Sequence, residues 1–315
     1  MYKNKYLIFT FIYFVTIIVF CGLIIRIESY KNEMIINSFN DNLPYGNGKS
    51  VKVIILAGQS NASGCSRDDY LKANVTNEQY FKYQNGFDNV YINYFASNTN
   101  ISNGFVKCST CQGESGGYFG PELGIAEKLN EIYPNELFFI IKWAWGGTNL
   151  FNQWLSPSSK GKTGELYKKF IKYVDNSLLY LKHKNFKVEI EGICWMQGES
   201  DSFSVDNATN YKDNLNNFIK DLRKHFNKYS SQDGIAFIDA YIAANPAYWV
   251  YYDLVNKSKK EVSLMSNMNV VIDTNKYGLT CSNEPIDAPD LAHYDSLSQL
   301  RLGNLFAEEL IKFFK

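Results

Sequence analysis

The chain has few histidines, few prolines and no excess of either charge. Among its 315 residues are three histidines and seven prolines, and 32 basic side chains balance 32 acidic ones. Because the net charge is zero, the chain has no overall positive field that would attract nucleic acid. A local basic patch could still form, but we expect no nucleic-acid partner. Low proline and 21 glycines exclude a fibrous or disordered chain, and 16% aromatic residues predict a globular protein with a substantial core.

One long apolar stretch without charges, Tyr6 to Ile25, follows Lys3 and Lys5. About twenty such residues are what a helix needs to cross the hydrocarbon layer. A secretory signal has a shorter apolar core and a cleavage site between small residues, and this sequence offers only poor candidates for that site. We therefore expect residues 1–26 to form a transmembrane signal anchor, with a signal peptide as the alternative. The remainder would be membrane-anchored and extracytoplasmic or lumenal, or else secreted.

Cysteine usage is compatible with an oxidising compartment. Of the six cysteines, we expect Cys65, Cys108, Cys111 and Cys281 to form one or two disulfides. Cys108 and Cys111 alone do not indicate zinc, because the sequence has no second pair of this spacing and no nearby pair of histidines. We expect no metal and no other cofactor.

After a polar stretch predicted as a linker, residues 27–50, short aliphatic runs alternate with segments of helical spacing. The runs predict strands at 51–57, 90–95, 137–144, 188–196, 234–241 and 269–273. The segments predict helices at 121–132, 164–184, 207–227, 246–259 and 296–314. This alternation indicates an α/β fold with a mainly parallel sheet covered on both faces, formed by one domain over residues 51–315. In such sheets, catalytic and ligand-binding residues lie in loops at the carboxyl ends of the strands.

Three strand-ending loops are dense in polar residues. They are Gly58-Gln59-Ser60-Asn61, Trp145-Gly146-Gly147-Thr148-Asn149 and Gln197-Gly198-Glu199-Ser200-Asp201. Ser60 follows a buried strand, which would present its hydroxyl with backbone N–H groups behind it, as a nucleophile requires. An ordinary helix N-cap explains this fragment equally well when it is taken alone.

The three histidines narrow the search for a base. His183 and His225 lie in cationic helix ends, where we expect their side chains to face water. His293 lies in an irregular stretch three residues after Asp290. This spacing lets Asp290 accept the Nδ1 proton and leaves Nε2 to face the serine, although a loop histidine beside a capping aspartate explains the same fragment. An α/β-hydrolase elbow is disfavoured because residue 62 is Ala62, where that pattern has glycine.

Five blocks together resemble the sialate O-acetylesterase/acetylxylan esterase group of the SGNH hydrolases, carbohydrate esterase family 6. They are Gly58-Gln59-Ser60-Asn61, Tyr118-Phe119-Gly120-Pro121-Glu122-Leu123-Gly124, Trp145-Gly146-Gly147-Thr148, Trp195-Met196-Gln197-Gly198-Glu199-Ser200-Asp201 and Asp290-Leu291-Ala292-His293. They stand in the family's order. The resemblance implies a three-layer α/β/α sandwich of the flavodoxin-like kind, and removal of O-acetyl groups from carbohydrate such as sialic acid or xylan.

The resemblance also implies the main catalytic residues. Ser60 would be the nucleophile, His293 the base, and Asp290 the acid that orients the histidine. The oxyanion would be held by the N–H groups of Ser60 and Gly147 and by the side-chain amide of Gln197.

Four further residues are predicted at the edge of this site. Glu199 either supports the loop of Gln59 and Asn61 by hydrogen bonds or shares the role of orienting the histidine. Gln59 and Asn61 are expected to contact substrate. Trp154 is the best candidate for stacking on a sugar ring because it lies in a loop.

The leading hypothesis is a metal-independent serine esterase whose partner is an acetylated glycan. One alternative is a cell-surface glycan-binding protein that kept the fold without turnover. Another is a sugar O-acetyltransferase, in which an acceptor hydroxyl replaces water. The sequence leaves the particular sugar and the oligomeric state open.

Overall fold

The computed structural model describes residues 2–231 and 233–314, and in the first helix it describes the side chains of Tyr13, Ile17, Phe20, Cys21 and those from Leu23 onward. The chain forms two compact units, one ending at Asn40 and the other starting at Asp41. The first unit contains helix α1, Tyr2–Asn37.

No helix within the described residues has the length and apolar character needed to span a membrane. Most side chains of the predicted membrane segment, residues 6–25, lie outside that description. The membrane role of this segment therefore stays a prediction.

Residues 27–50 were predicted to form a linker, but their structure is different. Helix α1 continues through this stretch to Asn37, and the main unit already begins at Asp41. The Asp41 carboxylate accepts hydrogen bonds from the Phe105 N–H, at 2.8 Å, and the Tyr180 hydroxyl, at 2.6 Å, while Leu43 is buried. Its polar composition suggested a linker, but these long-range contacts make residues 41–49 part of the domain.

The strands and helices of the main unit follow one another closely. The strands are β1 (Ser50–Gly58), β2 (Ser66–Arg67), β3 (Phe87–Ala96), β4 (Asn100–Ile101), β5 (Val106–Cys108), β6 (Tyr118–Phe119), β7 (Phe138–Ala144), β8 (Lys187–Met196), β9 (Ala236–Ala240) and β10 (Asn269–Ile272). The helices are α2 (Ser60–Ser63), α3 (Asp68–Asn74), α4 (Asn77–Asn85), α5 (Glu122–Ile132), α6 (Glu165–His183), α7 (Val205–Phe226), α8 (Tyr252–Ser263) and α9 (Ser296–Ile311).

The main sheet has the strand order β10-β9-β8-β1-β7-β3-β4, with β5 also paired to β3. The strands from β10 to β3 are parallel, and β4 and β5 are antiparallel to β3. Numbered along the chain, the strands β1, β7, β8, β9 and β10 have the flavodoxin-like order 2-1-3-4-5, to which β3 adds an outer strand. The predicted fold is confirmed.

Helices cover both faces of the sheet. Successive side chains of a strand point to opposite faces. In β7, Trp143 packs against Phe170 of α6, and the preceding Lys142 pairs with Glu122 of α5. Helix α5 packs on α9, and α7 packs on α8. Three layers result, and the continuous aliphatic runs of β1 and β7 fit strands that are buried on both faces.

Two local expectations need correction. The predicted helix at 246–259 starts later, at Tyr252, after a series of turns. The predicted disulfides are absent from the described part of the chain, where all six cysteines are free. Cys108 and Cys194 are fully buried, so they act as small apolar core residues.

Candidate active site

Strand β1 lies in the middle of the parallel part of the sheet. Its neighbours are β7 on one side and β8 on the other, which makes its carboxyl end the switch point at which such sheets bind ligands. Gly58 is required there, because its φ is 144° and a Cβ would lie 1.9 Å from the Met196 carbonyl oxygen. This close approach fixes the start of the loop that carries Ser60.

Ser60 opens the short helix α2 and is 9% exposed. The loop after β7 lies against it, since a Cβ built on Gly146 would be 3.5 Å from the Ser60 Cβ. Neither the N–H of Ser60 nor that of Gly147 donates a hydrogen bond to any part of the chain that the structure describes. The serine therefore lies beside backbone donors that are free to bind a ligand oxygen.

His293 forms a pair with Asp290, as the spacing predicted. Its Nδ1 lies 2.6 Å from Asp290 Oδ2. Burial lowers the pKa of His293, but the hydrogen bond and the charge of Asp290 outweigh burial, so the pKa lies above its usual value. The same hydrogen bond lowers the pKa of Asp290. With Nδ1 bound to an ionised carboxylate, Nε2 is the nitrogen left to accept a proton.

Asn61 brings the serine and histidine segments together. Its Nδ2 donates to the Ala292 carbonyl at 3.1 Å, and its Oδ1 accepts from the Tyr294 N–H at 3.2 Å. One side chain directly after Ser60 thus binds the residues on both sides of His293. Asn61 is 2% exposed, so its predicted contact with substrate does not fit the structure, and it positions the loop instead.

Glu199 lies beneath Asn61. Its Oε1 accepts from Asn61 Nδ2 at 2.8 Å, and its buried Oε2 has no hydrogen-bond partner among the described atoms. Burial raises the pKa of this carboxyl, since a charged form is costly without water. Glu199 was predicted either to support the loop of Gln59 and Asn61 or to orient the histidine. Its hydrogen bond with Asn61 corresponds to the first of these roles.

Gln197 does not have the geometry of an oxyanion donor. Its amide nitrogen donates to the Thr148 carbonyl at 2.9 Å and to Asp201 Oδ2 at 2.6 Å, and the Tyr211 hydroxyl donates to its oxygen at 3.0 Å. Because these bonds occupy both amide hydrogens, the predicted role of Gln197 is corrected. The side chain instead ties the end of β8 to the loop that carries Gly147.

Gln59 is likewise part of the support. Its side chain is 2% exposed, and its Oε1 accepts from the Ser200 N–H at 3.2 Å. The predicted substrate contact of Gln59 is therefore corrected, because its amide joins the loops after β1 and β8.

Trp154 was predicted to stack on a sugar, but it is fully buried. Its ring packs edge-on against Trp143 and Trp195, with centroids 5.1 Å apart in both pairs. Its Nε1 donates to Thr148 Oγ1 at 2.9 Å. The loop that carries Trp154 folds back into the core, so this side chain cannot reach a ligand.

Glu114 is the residue that sequence reasoning missed. Its Oε1 accepts from Ser97 Oγ at 2.5 Å and from the Ser63 hydroxyl, and Ser97 Oγ accepts from the Gly146 N–H at 2.8 Å. Glu114 thus joins helix α2 to the loop beside the serine. A single acidic residue in a Gly- and Ser-rich loop carries no sequence pattern that would have found it.

A cavity of about 250 Å³ opens beside the histidine. Its walls include Cys65, Arg67, Tyr118, Glu284 and His293. Burial, together with the charge of Glu114, raises the pKa of Cys65 well above its usual value, so the thiol stays protonated and is a poor nucleophile.

No group of three or more His, Cys, Asp or Glu side chains in the described part of the chain is arranged to hold a metal ion. The reactive groups described at this site are the Ser60 hydroxyl, the His293 imidazole and the backbone N–H donors.

Comparison with known proteins places the chain in a family. A family described as "Carbohydrate esterase, sialic acid-specific acetylesterase" matches residues 50–312. No curated protein matches the chain.

Similar solved structures show the same fold. NanS superposes with a TM-score of 0.61 at 16% identity, covering 86% of this chain and 98% of its own. A protein from Arabidopsis thaliana gives 0.59 at 20% identity, covering 84% of this chain and 99% of its own. A carbohydrate acetylesterase from Xanthomonas citri gives 0.50 at 13% identity, covering 82% of this chain and 54% of its own.

Proposed function

The chain belongs to the family of carbohydrate esterases described as sialic acid-specific acetylesterases, and from its site we propose that it removes O-acetyl groups from carbohydrate by a serine mechanism. One observation carries the proposal. Asn61, directly after Ser60, binds the neighbours of His293, whose Nδ1 is held by Asp290. These contacts hold the segment of the proposed nucleophile against the segment of the proposed base and its acid, which supports the assignment.

In the first step, Ser60 Oγ attacks the acetyl carbonyl while His293 Nε2 takes the hydroxyl proton. The N–H groups of Ser60 and Gly147 stabilise the oxyanion. The Gln197 amide does not contribute, because both of its hydrogens are already bonded. When the tetrahedral intermediate collapses, the sugar oxygen leaves with the proton from His293, and the acetyl group stays on Ser60.

In the second step, water replaces the sugar. His293 takes a proton from the water, which attacks the acetyl-serine, and acetate leaves as Ser60 regains its proton. Asp290 keeps the imidazole in the tautomer that both steps need and stabilises the imidazolium formed in each. The imidazole activates both nucleophiles, so we propose that no metal takes part, and we expect excess EDTA to leave the rate unchanged.

The test uses the full chain, purified in a mild non-ionic detergent, with p-nitrophenyl acetate as substrate. Ser60→Ala and His293→Ala should each abolish acetate release above background. His225→Ala is a matched control, because His225 forms a similar pair with Asp175, at 2.9 Å, on the surface. Full activity of either site variant would refute the mechanism.

Direct measurement of products separates the alternative functions. Free acetate identifies hydrolysis, whereas acetyl groups recovered on an added sugar identify an acetyltransferase. Binding of glycan without acetate release from any acetylated sugar would identify a glycan-binding protein.

We further propose that residues 6–25 anchor the chain in a membrane with the catalytic unit on the extracytoplasmic or lumenal side. The support is the length of this uncharged apolar stretch. Full-length protein expressed in cells should stay with membranes after alkaline carbonate washing. Release of a shortened chain into the medium would instead show a cleaved signal and a secreted enzyme.

A further inference from the structure

The turn that follows strand β3 contains two residues whose backbone lies in the left-handed region. Ser97 has a φ of 51° and Asn98 has a φ of 61°. Residues other than glycine seldom adopt this conformation, because their Cβ then lies close to the following carbonyl oxygen. Strain of this kind persists only where the surrounding structure holds it, and it is frequent at functional sites. Here the turn brings the Ser97 side chain to the loop beside Ser60.

Ser97 is bonded to that loop through both its backbone and its hydroxyl. Its N–H donates to the carbonyl of Ala144, the last residue of β7, at 2.9 Å. Its Oγ accepts from the Gly146 N–H at 2.8 Å. A Cβ built on Gly146 would lie 3.5 Å from the Ser60 Cβ. Ser97 therefore holds the loop at the point where it passes the proposed nucleophile.

Glu114 fixes the direction of the Ser97 hydroxyl. Ser97 Oγ donates its one proton to Glu114 Oε1 at 2.5 Å, which leaves its lone pairs for the Gly146 N–H. Because the acceptor is a carboxylate, this bond is charge-assisted, and it polarises the hydroxyl oxygen into a stronger acceptor. The contact is also close, since a Cβ on Gly146 would lie 2.6 Å from Glu114 Oε1.

Gly147, the next residue of the loop, depends on its neighbours for its orientation. It is exposed, its φ is 67°, and a Cβ built on it would meet nothing within 4 Å. On one side the Thr148 carbonyl accepts from Gln197 at 2.9 Å, and on the other side Gly146 donates to Ser97. Two consecutive glycines have unusual conformational freedom, so the direction of the Gly147 N–H is set by these two anchors.

We propose that Ser97 is a positioning residue of the oxyanion site. Held by Glu114, its hydroxyl fixes Gly146 so that the Gly147 N–H points to the carbonyl oxygen of the ester. This role rests on the proposed function and adds a residue to it. It also gives the left-handed turn after β3 a purpose, because the turn places this hydroxyl against the loop.

The experiment compares Ser97→Gly with Asn98→Gly in the full chain, with p-nitrophenyl acetate as substrate. Glycine suits a left-handed backbone, so both variants keep the turn, and only the first loses the hydroxyl. In Ser97→Gly, kcat should fall about tenfold, the upper effect of one lost hydrogen bond. KM should not change, because the oxyanion exists only in the transition state. Asn98→Gly is the matched control and should keep the wild-type kcat, since the Asn98 side chain is exposed. Equal losses in both variants would overturn the proposal.

A double variant tests the link through Glu114. Because Glu114 acts through the Ser97 hydroxyl, Glu114→Gln combined with Ser97→Gly should lose less kcat than the product of the two single losses, measured above the acidic limb of the pH profile. Losses that multiply would overturn this link. Ser60→Ala, measured alongside, separates the two proposals. Activity that depends on Ser60 but is kept in full by Ser97→Gly overturns only the role of Ser97. Activity that survives Ser60→Ala refutes the proposed mechanism and this role with it.

Discussion

Asp290→Asn tests which acid orients the histidine. The His293 Nδ1 to Asp290 Oδ2 distance is 2.6 Å, and the side chains are 25% and 45% exposed. A hydrogen bond to a charged group contributes about 1.5 to 3 kcal/mol, and this exposure places the present one in the lower half of that range. At about 1.4 kcal/mol for each factor of ten, kcat/KM should fall about 10- to 40-fold from the lost bond alone.

The pH profile gives the same test a second readout. Asp290 raises the pKa of His293, and the enzyme needs the neutral imidazole. In the wild type, activity is therefore lost as pH falls through the raised pKa. Removing the charge lowers that pKa, so the acidic limb of the kcat/KM profile should move to lower pH in Asp290→Asn.

Glu199→Gln is the matched comparison. The glutamine oxygen can still accept from Asn61, and burial already raises the pKa of Glu199, so a neutral amide is a close substitute. We expect a loss of less than about threefold, the scale of a few tenths of a kcal/mol. A larger loss from Glu199→Gln than from Asp290→Asn, with both variants folded by circular dichroism, would refute the assignment of Asp290.

Two further predictions concern residues around the serine. Glu114→Gln should lower kcat. Because the Glu114 charge raises the pKa of His293, this substitution should also move the acidic limb of the pH profile to lower pH. An acidic limb that does not move would show that Glu114 has a purely structural role. Trp154→Ala should lower the free energy of unfolding in urea by about 3 to 5 kcal/mol, because it empties a buried aromatic site. KM for an acetylated oligosaccharide should not change in Trp154→Ala, and a large rise without loss of stability would restore the sugar-stacking role.

Much of the fold follows from the sequence because its strands are short aliphatic runs buried on both faces. β1, β7 and β8 were predicted within a residue or two of their observed bounds. Their polar ends then bring the candidate residues to one edge of the sheet. The His293 and Asp290 pair was also predictable, because it depends on local spacing and on having only three histidines in the chain.

The errors concern side chains whose roles depend on distant packing. The sequence does not show that the Gln197 amide faces Thr148 and Asp201, or that the loop of Trp154 folds back into the core. Glu114 acts through Ser97 and Ser63, which are far from it in the sequence. Each of these contacts exists only after the loops at the sheet edge have packed together.

The most direct test of the central claim is to locate the covalent adduct of the nucleophile. The full chain is treated with an organophosphate that reacts with activated serines, and its peptides are sequenced by mass spectrometry. We predict one adduct, on Ser60, which is lost in Ser60→Ala and retained in Ser263→Ala, whose serine lies partly exposed at the end of α8. Modification of another residue, or of Ser60 and Ser263 alike, would contradict the assignment of Ser60 as the activated nucleophile.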